Sequence, residues 1–333
     1  MDHRQKTVRI GTLLLLCCLS VLIMHYIRAP LERLLSDPEV VSFLIYLETG
    51  RELETVPVVT ETEPVQTTVF TEPEPVGLLF TESDAQLVQV SNFCNYAVDI
   101  PALLSTQLHW DLTAKEPQVL ILHSHATESY TQTTQFSYTP SSAFRTLDTG
   151  RNMVRVGEAL KEALEEKGIG VIHDMTLHDY PSYNDAYIQS REAMRQWLSQ
   201  YPSISLVIDL HRDAAGDSAA KQLTTATVIN DTKTAQLMLV VGSNAGGRQH
   251  PNWKANFALA AKLHAQLEKR FPGICRPINF RTERFNQDLS AGALLIEVGA
   301  AGDTLEEALA AAVFLAEGIS DLAFGTVTAD STS

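Results

Sequence analysis

The chain has 333 residues, 45% of them hydrophobic and 20% charged, a globular composition with length for one sizeable domain and additional segments. Its net charge of −15, with no run of basic residues, excludes a nucleic-acid ligand, because a polyanion needs a basic face. The acid is concentrated: residues 52–111 contain ten Asp and Glu and no Lys or Arg.

In chain order, His3, Arg4, Lys6 and Arg9 precede an apolar run over 10–27. The run has the length of a short bilayer span. Basic residues ahead of it place the N-terminus in the cytoplasm and the remainder outside the cell membrane. The pattern predicts a single-pass anchor over 1–30. A cleaved signal peptide is the alternative, but the small residues of a cleavage site do not follow the run. Residues 31–51 read as a juxtamembrane helix. Residues 52–86, rich in Thr, Glu, Pro and Val, read as an extended linker that buries too little apolar surface to offset its ordering entropy. A catalytic domain is expected over 87–325 and a disordered tail over 326–333. Cys94 and Cys275 lack CxxC spacing, which argues against zinc fingers and thiol redox chemistry and leaves a bridge between them open.

From about residue 115 strands alternate with helices. QVLIL (118–122) predicts a short buried strand. Residues 152–167 predict a helix with Met153, Val156, Ala159, Leu160 and Leu164 along one face and Gly168 as its stop. Further strands are expected at 170–173, 205–210 (SLVIDL), 237–241 and 293–298 (ALLIEV). Further helices are expected at 183–201, 253–270 and 304–322. The alternation predicts an α/β fold, a three-layer sandwich with a mostly parallel sheet. Sites in such sheets form at the carboxyl ends of the strands.

That rule selects residues. QVLIL runs into His123, His125 and Glu128; SLVIDL into His211, Arg212 and Asp213; ALLI into Glu297. His125-x-x-Glu128 with a distant His211 supplies two imidazoles and a carboxylate, the donor set of a catalytic zinc with one position left for water. A further carboxylate is needed to move the water's proton to a leaving nitrogen, and Glu297 fits that role. A lone HxxE is a weak signal; three strand ends with matching chemistry make it stronger.

Seven ordered segments resemble the stage II sporulation protein P family: HSHATESY (123–130), NMVRVG (152–157), HDYPSYN (178–184), DLHRDA (209–214), PNWKAN (251–256), NQDLS (286–290) and LLIEVG (294–299). The resemblance covers about residues 118–322. It implies the cell-wall amidase fold, similar to zinc carboxypeptidases. It also implies a zinc-dependent N-acetylmuramoyl-L-alanine amidase, with endopeptidase activity too, that thins septal peptidoglycan during engulfment in endospore formers. Implied partners are peptidoglycan, a lytic transglycosylase and a membrane scaffold of the same stage. Carried over to this sequence, it supports one zinc ion on His125 and His211, with Glu297 as acid/base. The third ligand is Glu128 by the pattern of HxxE zinc peptidases, or Asp148, ahead of the first helix, by that of the broader amidases; Glu128 is preferred. His123 supports a ligand or has no role in the site. Arg212 is expected to clamp a substrate carboxylate or an oxyanion, or to pair with Asp209 or Asp213. Asn286, Gln287 and Asp288 are expected to grip stem-peptide amides. His173 and His178 are expected to make polar loop contacts, and 242–247 to form a rim loop. The competing functions are a zinc carboxypeptidase or endopeptidase on stem peptides, and a non-catalytic peptidoglycan-binding regulator.

Overall fold

The structure, a computed structural model, describes residues 80–324 apart from 109, 111, 113–115, 215 and 219–220. The expected anchor, the juxtamembrane helix, most of the linker and the tail lie outside the described residues. Among the described residues no helix is long and apolar enough to cross a membrane.

The described chain opens with helix α1 (Glu82–Ala85), started by a reciprocal cap between Thr81 and Asp84. Strand β1 (Val90–Asn92) and helix α2 (Ile100–Ser105), capped by Asp99, follow. Next come β2 (Val119–Leu122), α3 (Met153–Glu165), β3 (Val171–His173), α4 (Ala186–Gln200) and β4 (Leu206–Asp213). Two small hairpins pair β5 (Gly216–Ser218) with β6 (Lys221–Gln222) and β7 (Ala226–Ile229) with β8 (Thr232–Ala235). The chain then forms β9 (Leu237–Val241), α5 (Trp253–Arg270), β10 (Ile278–Phe280), β11 (Ala293–Ala300) and α6 (Leu305–Phe324).

Seven strands form one sheet in the order β1-β10-β9-β11-β4-β2-β3. Every pairing is parallel except β11 with β9. Strands β11, β4, β2 and β3 therefore run the same way and bring their carboxyl ends to one edge. Side chains alternate between the faces of a strand, and here the alternation sorts the core. Val119 and Ile121 of β2, Leu206, Ile208 and Leu210 of β4, and Leu294 and Ile296 of β11 join the large cluster that also holds side chains of α3, α5 and α6. Leu120, Leu122, Val207 and Ala293 face the other way, against Met194 and Trp197 of α4. The result is the expected three-layer α/β sandwich.

The segment ahead of β2 departs from expectation. Residues 80–86, expected to belong to the linker, pack on the domain instead, since Asp84 of α1 pairs with Lys269 of α5 at 3.0 Å. Strand β1 adds to the sheet through Val90 beside Ile278, and Val88, Cys94, Leu104 and Leu112 are buried in the main core. Cys94 and Cys275 are both free thiols. Strand β4 also runs further than the sequence suggests, so His211, Arg212 and Asp213 lie inside it instead of in a loop beyond it, while Glu297 lies within β11 as the expected range allowed.

A chain beginning at residue 80 is expected to fold, whereas one beginning at residue 115 is not. The shorter chain loses four buried side chains worth about 1.5–3 kcal/mol each, a deficit comparable with the roughly 5–15 kcal/mol that holds a domain together. Thermal melting by circular dichroism checks this; equal melting temperatures for the two chains would show residues 80–114 to be dispensable.

Candidate active site

Alternation along β4 puts Asp209 and His211 on the same face as Val207, and parallel pairing sets Glu297 of β11 directly beside His211. Asp209 is buried and accepts from the N–H of Ser124 at 2.7 Å and from its hydroxyl at 2.6 Å. It also accepts from Nε2 of His211 at 2.8 Å. A carboxylate only accepts, so Nε2 carries a hydrogen and Nδ1 is left to face Oε2 of Glu128, 3.6 Å away. Burial alone would disfavour a charged imidazole, but Asp209 and Glu128 outweigh it and hold the His211 pKa well above the ordinary value.

The loop after β2 brings in the other groups. His125 lies edge to face with His211, ring centroids 5.4 Å apart, and its buried Nδ1 has no hydrogen-bond partner. Burial, and then His211, depress its pKa to about 4. Burial would raise the Glu128 carboxyl, yet Arg212, His211 and His125 pull it down to about 2. Glu297 behaves oppositely. Its Oε2 is shut off from solvent without a partner, and burial raises its pKa to about 8 against the pull of His211, with Glu128 adding to the rise. Arg145 donates to Glu128 at 3.1 Å and to Asp179 at 2.9 Å, and its guanidinium lies over the Tyr183 ring. Tyr183 stacks on His125 at 4.4 Å between centroids, and Tyr187 lies nearly parallel to His211.

Among the described residues, no three His, Cys, Asp or Glu side chains are close enough together to hold a metal ion as they stand. The donor set nevertheless has the chemistry of a cation site. An unpartnered buried imidazole nitrogen, a second imidazole nitrogen turned to a carboxylate and an ionised buried acid are neighbours.

A model of the stage II sporulation protein P family matches residues 59–320. The chain belongs to that family. It is 31% identical over 223 residues to "Stage II sporulation protein P" of Bacillus subtilis (strain 168), a match spanning 63% of this chain and 52% of that relative, about half of its length. Among solved structures, the N-acetylmuramyl-L-alanine amidase Ami1 of Mycobacterium smegmatis matches 65% of this chain and 100% of its own, with 12% identity and a TM-score of 0.38. The CwlD amidase of Clostridioides difficile, solved with the GerS lipoprotein, matches 62% of this chain and 98% of its own, with 13% identity and a TM-score of 0.37.

In this stage II sporulation protein P family member, other expected residues stand elsewhere. Asp148 is exposed and accepts from the N–H of Gly150, so Glu128 is the acid that stands with the two histidines. Arg212 follows His211 in β4 and therefore leaves the strand on the opposite side. It is buried, donating to the carbonyls of Ser129 and Phe144, with Nη1 3.6 Å from Oε1 of Glu128. Asn286, Gln287 and Asp288 hold their own loop in place. Asn286, in left-handed backbone, donates to Tyr187 O; Gln287 is buried and bonds Val240 and Gly242; Asp288 takes two hydrogen bonds from Arg191 of α4. His178 pairs with Asp174, and 242–247 is stitched to 282–287. Sequence reasoning passed over Arg145, Tyr183 and Tyr187. Asp209 it treated only as a partner for Arg212. The signal available for Asp209 was its place two residues before His211 on one strand face.

Arg191→Met is expected to cost about 1.5–3 kcal/mol of stability, the range for hydrogen bonds to charged groups, seen as a lower denaturant midpoint. A loop that gripped substrate instead would leave the midpoint unchanged and raise only KM for peptidoglycan fragments.

Proposed function

We propose that the chain is a zinc-dependent peptidoglycan hydrolase acting in septal thinning and engulfment during sporulation. In this reading it cuts the amide between the lactyl group of N-acetylmuramic acid and L-alanine. His125, Glu128 and His211 hold one zinc ion and Glu297 is the acid/base. Family membership supports the sporulation and cell-wall part of this reading. The observation that carries the chemistry is the juxtaposition of His125, His211 and Glu128, with Glu297 set beside His211 on the neighbouring strand.

Bound there, zinc would supply a Lewis acid that polarises the scissile carbonyl and activates water. The rest falls to the protein. Asp209 fixes the hydrogen of His211 on Nε2 and turns Nδ1 inward. Glu128, ionised at every physiological pH, contributes fixed negative charge. Glu297 has a pKa close to neutral, so it takes a proton from water and returns it to the departing alanine nitrogen without a large energetic penalty in either direction. A carboxypeptidase needs a free cation to capture a terminal carboxylate. Arg212 is engaged with two carbonyls and Arg145 with two carboxylates, which favours the amidase reading. Attachment of the catalytic domain to the outer face of the cell membrane by the N-terminal segment, and association with a lytic transglycosylase and a membrane scaffold, belong to the same proposal.

Glu297→Gln keeps the shape and removes the proton carrier, so kcat is expected to fall by about 10²–10⁴-fold with zinc content, read by atomic emission, nearly unchanged. Loss of zinc in this variant would make Glu297 a ligand. Digestion of purified sacculi by the wild type is expected to release stem peptides with new L-alanine amino termini by mass spectrometry, to stop on chelation and to resume on zinc addition. Free D-alanine or opened cross-links, with every L-alanine still joined to muramic acid, would overturn the amidase reading.

A further inference from the structure

Behind the site lies a second pair of imidazoles that the proposed chemistry does not use. His123 is fully buried, with Nδ1 3.0 Å from the carbonyl of Leu210 and Nε2 2.8 Å from Nε2 of His173. His173 continues the chain, its Nδ1 3.1 Å from Oε2 of Glu158 on α3. The contact crosses α3 at Gly157, where a Cβ would stand 2.5 Å from Nε2 of His173 and 2.6 Å from Nε2 of His123. Only glycine lets the two rings meet there.

Counting hydrogens in this chain gives a definite result. Its two ends, a backbone carbonyl and a carboxylate, only accept. Three hydrogen bonds join them through two imidazoles, and two neutral imidazoles bring two hydrogens. His123, fully buried between a carbonyl and an imidazole, has no carboxylate in the chain to balance a charge and stays neutral; it must donate from Nδ1 to Leu210, so its Nε2 accepts. His173 must then donate from Nε2 to His123, and a third hydrogen is required between its Nδ1 and Glu158. The hydrogen bond from His173 and the charge of Lys161 hold the Glu158 carboxyl below its usual range, so it stays ionised and the third hydrogen belongs to His173. Burial works against that charge and draws the His173 pKa down, while Glu158 opposes the fall. Lys161 on α3 and the adjacent Asp174 are the other charges that act on the ring.

We propose that His173 and Glu158 are positioning residues of the site: a His173 imidazolium paired with Glu158 keeps His123 bonded to the Leu210 carbonyl, and so fixes the end of β4 on which Asp209 and His211 stand. The link to catalysis rests on the reading of His211 given above. A glutamine at 158 satisfies the same chain with one hydrogen fewer. Its carboxamide donates to Nδ1 of His173 while Nε2 still donates to His123. An alanine at 158 does not, and an alanine at 157 wedges the rings apart.

The test uses the full chain labelled with ¹⁵N-histidine. Long-range ¹H–¹⁵N spectra from about pH 5 to about pH 8 give the protonation of each ring nitrogen, and sacculus hydrolysis gives the kinetics. In the wild type both His173 nitrogens are expected to carry hydrogen at the acid end and Nδ1 to lose it as pH rises. In Glu158→Gln, Nδ1 is expected to be an unprotonated acceptor throughout. Glu158→Gln should keep kcat within about 2-fold, whereas Glu158→Ala and Gly157→Ala should lose about 10-fold or more with little change in KM. A neutral His173 across the whole range in the folded wild type overturns the proposal, and so does a Glu158→Gln variant as impaired as Glu158→Ala. If the wild type releases nothing from sacculi, the proposed function fails, and the spectra still decide the protonation on which this inference stands.

Discussion

A carboxylate buried beside a sheet must find hydrogen-bond donors or give up its charge, and Asp209 finds them in two parts of the chain. Its partners are the Ser124 amide, the Ser124 hydroxyl and Nε2 of His211. Charge-assisted bonds of this kind are roughly twice as strong as neutral ones and geometrically strict. One side chain therefore sets both the angle at which the loop after β2 leaves its strand and the ring orientation of His211. The same hydroxyl of Ser124 meets that of Ser190 on α4, which in turn receives Asn286. The site loop, the covering helix and the 285–288 loop are thus referred to one buried charge.

Two acids within this frame acquire opposite characters from their surroundings. Glu128 lies against Arg145, Arg212 and His211, and each stabilises its ionised form. Glu297, on the neighbouring strand, has no hydrogen-bonded partner for Oε2 and is dominated by desolvation. Pairs of titratable groups pushed apart in this way identify which acid holds charge and which moves protons. The arginines beside Glu128 are as much a part of that division as the acids, because without them both carboxyls would face the same desolvation penalty.

The sequence disclosed most of the central sheet because buried parallel strands read as short apolar runs, and β2, β9 and β11 lie where those runs are. It disclosed His125, Glu128, His211 and Glu297 as neighbours through the strand-end rule. His211 lies inside β4, which continues past its apolar run, and Glu297 lies inside β11 within the range expected for it; alternation delivers both side chains. Arg212, the next residue on β4, leaves on the opposite face from His211 and is held by the carbonyls of Ser129 and Phe144. The segment of β1, α1 and α2 was obscured by its acidic, lysine-free composition, whose compensating cations, such as Lys269 for Asp84, come from distant sequence. Asn286, Gln287 and Asp288 have the polarity of a binding loop, and only tertiary contacts show that their amides and carboxylate are used on Tyr187, Val240, Gly242 and Arg191.

Helix α4 joins stability to chemistry along a single stripe. Residues three and four apart share a helix face, so Tyr187, Ser190, Met194 and Trp197 point broadly together. Met194 and Trp197 pack on the sheet and seal its second face. One and two turns earlier, Ser190 reaches the Ser124 hydroxyl and Tyr187 covers the His211 ring with Phe285 beside it. The packing that closes the α4 layer is therefore continuous with the contacts that hold Ser124 and the His211 ring. A substitution that loosens the Met194 end of the stripe acts on His211 without touching it, through the same helix that seals the second face of the sheet.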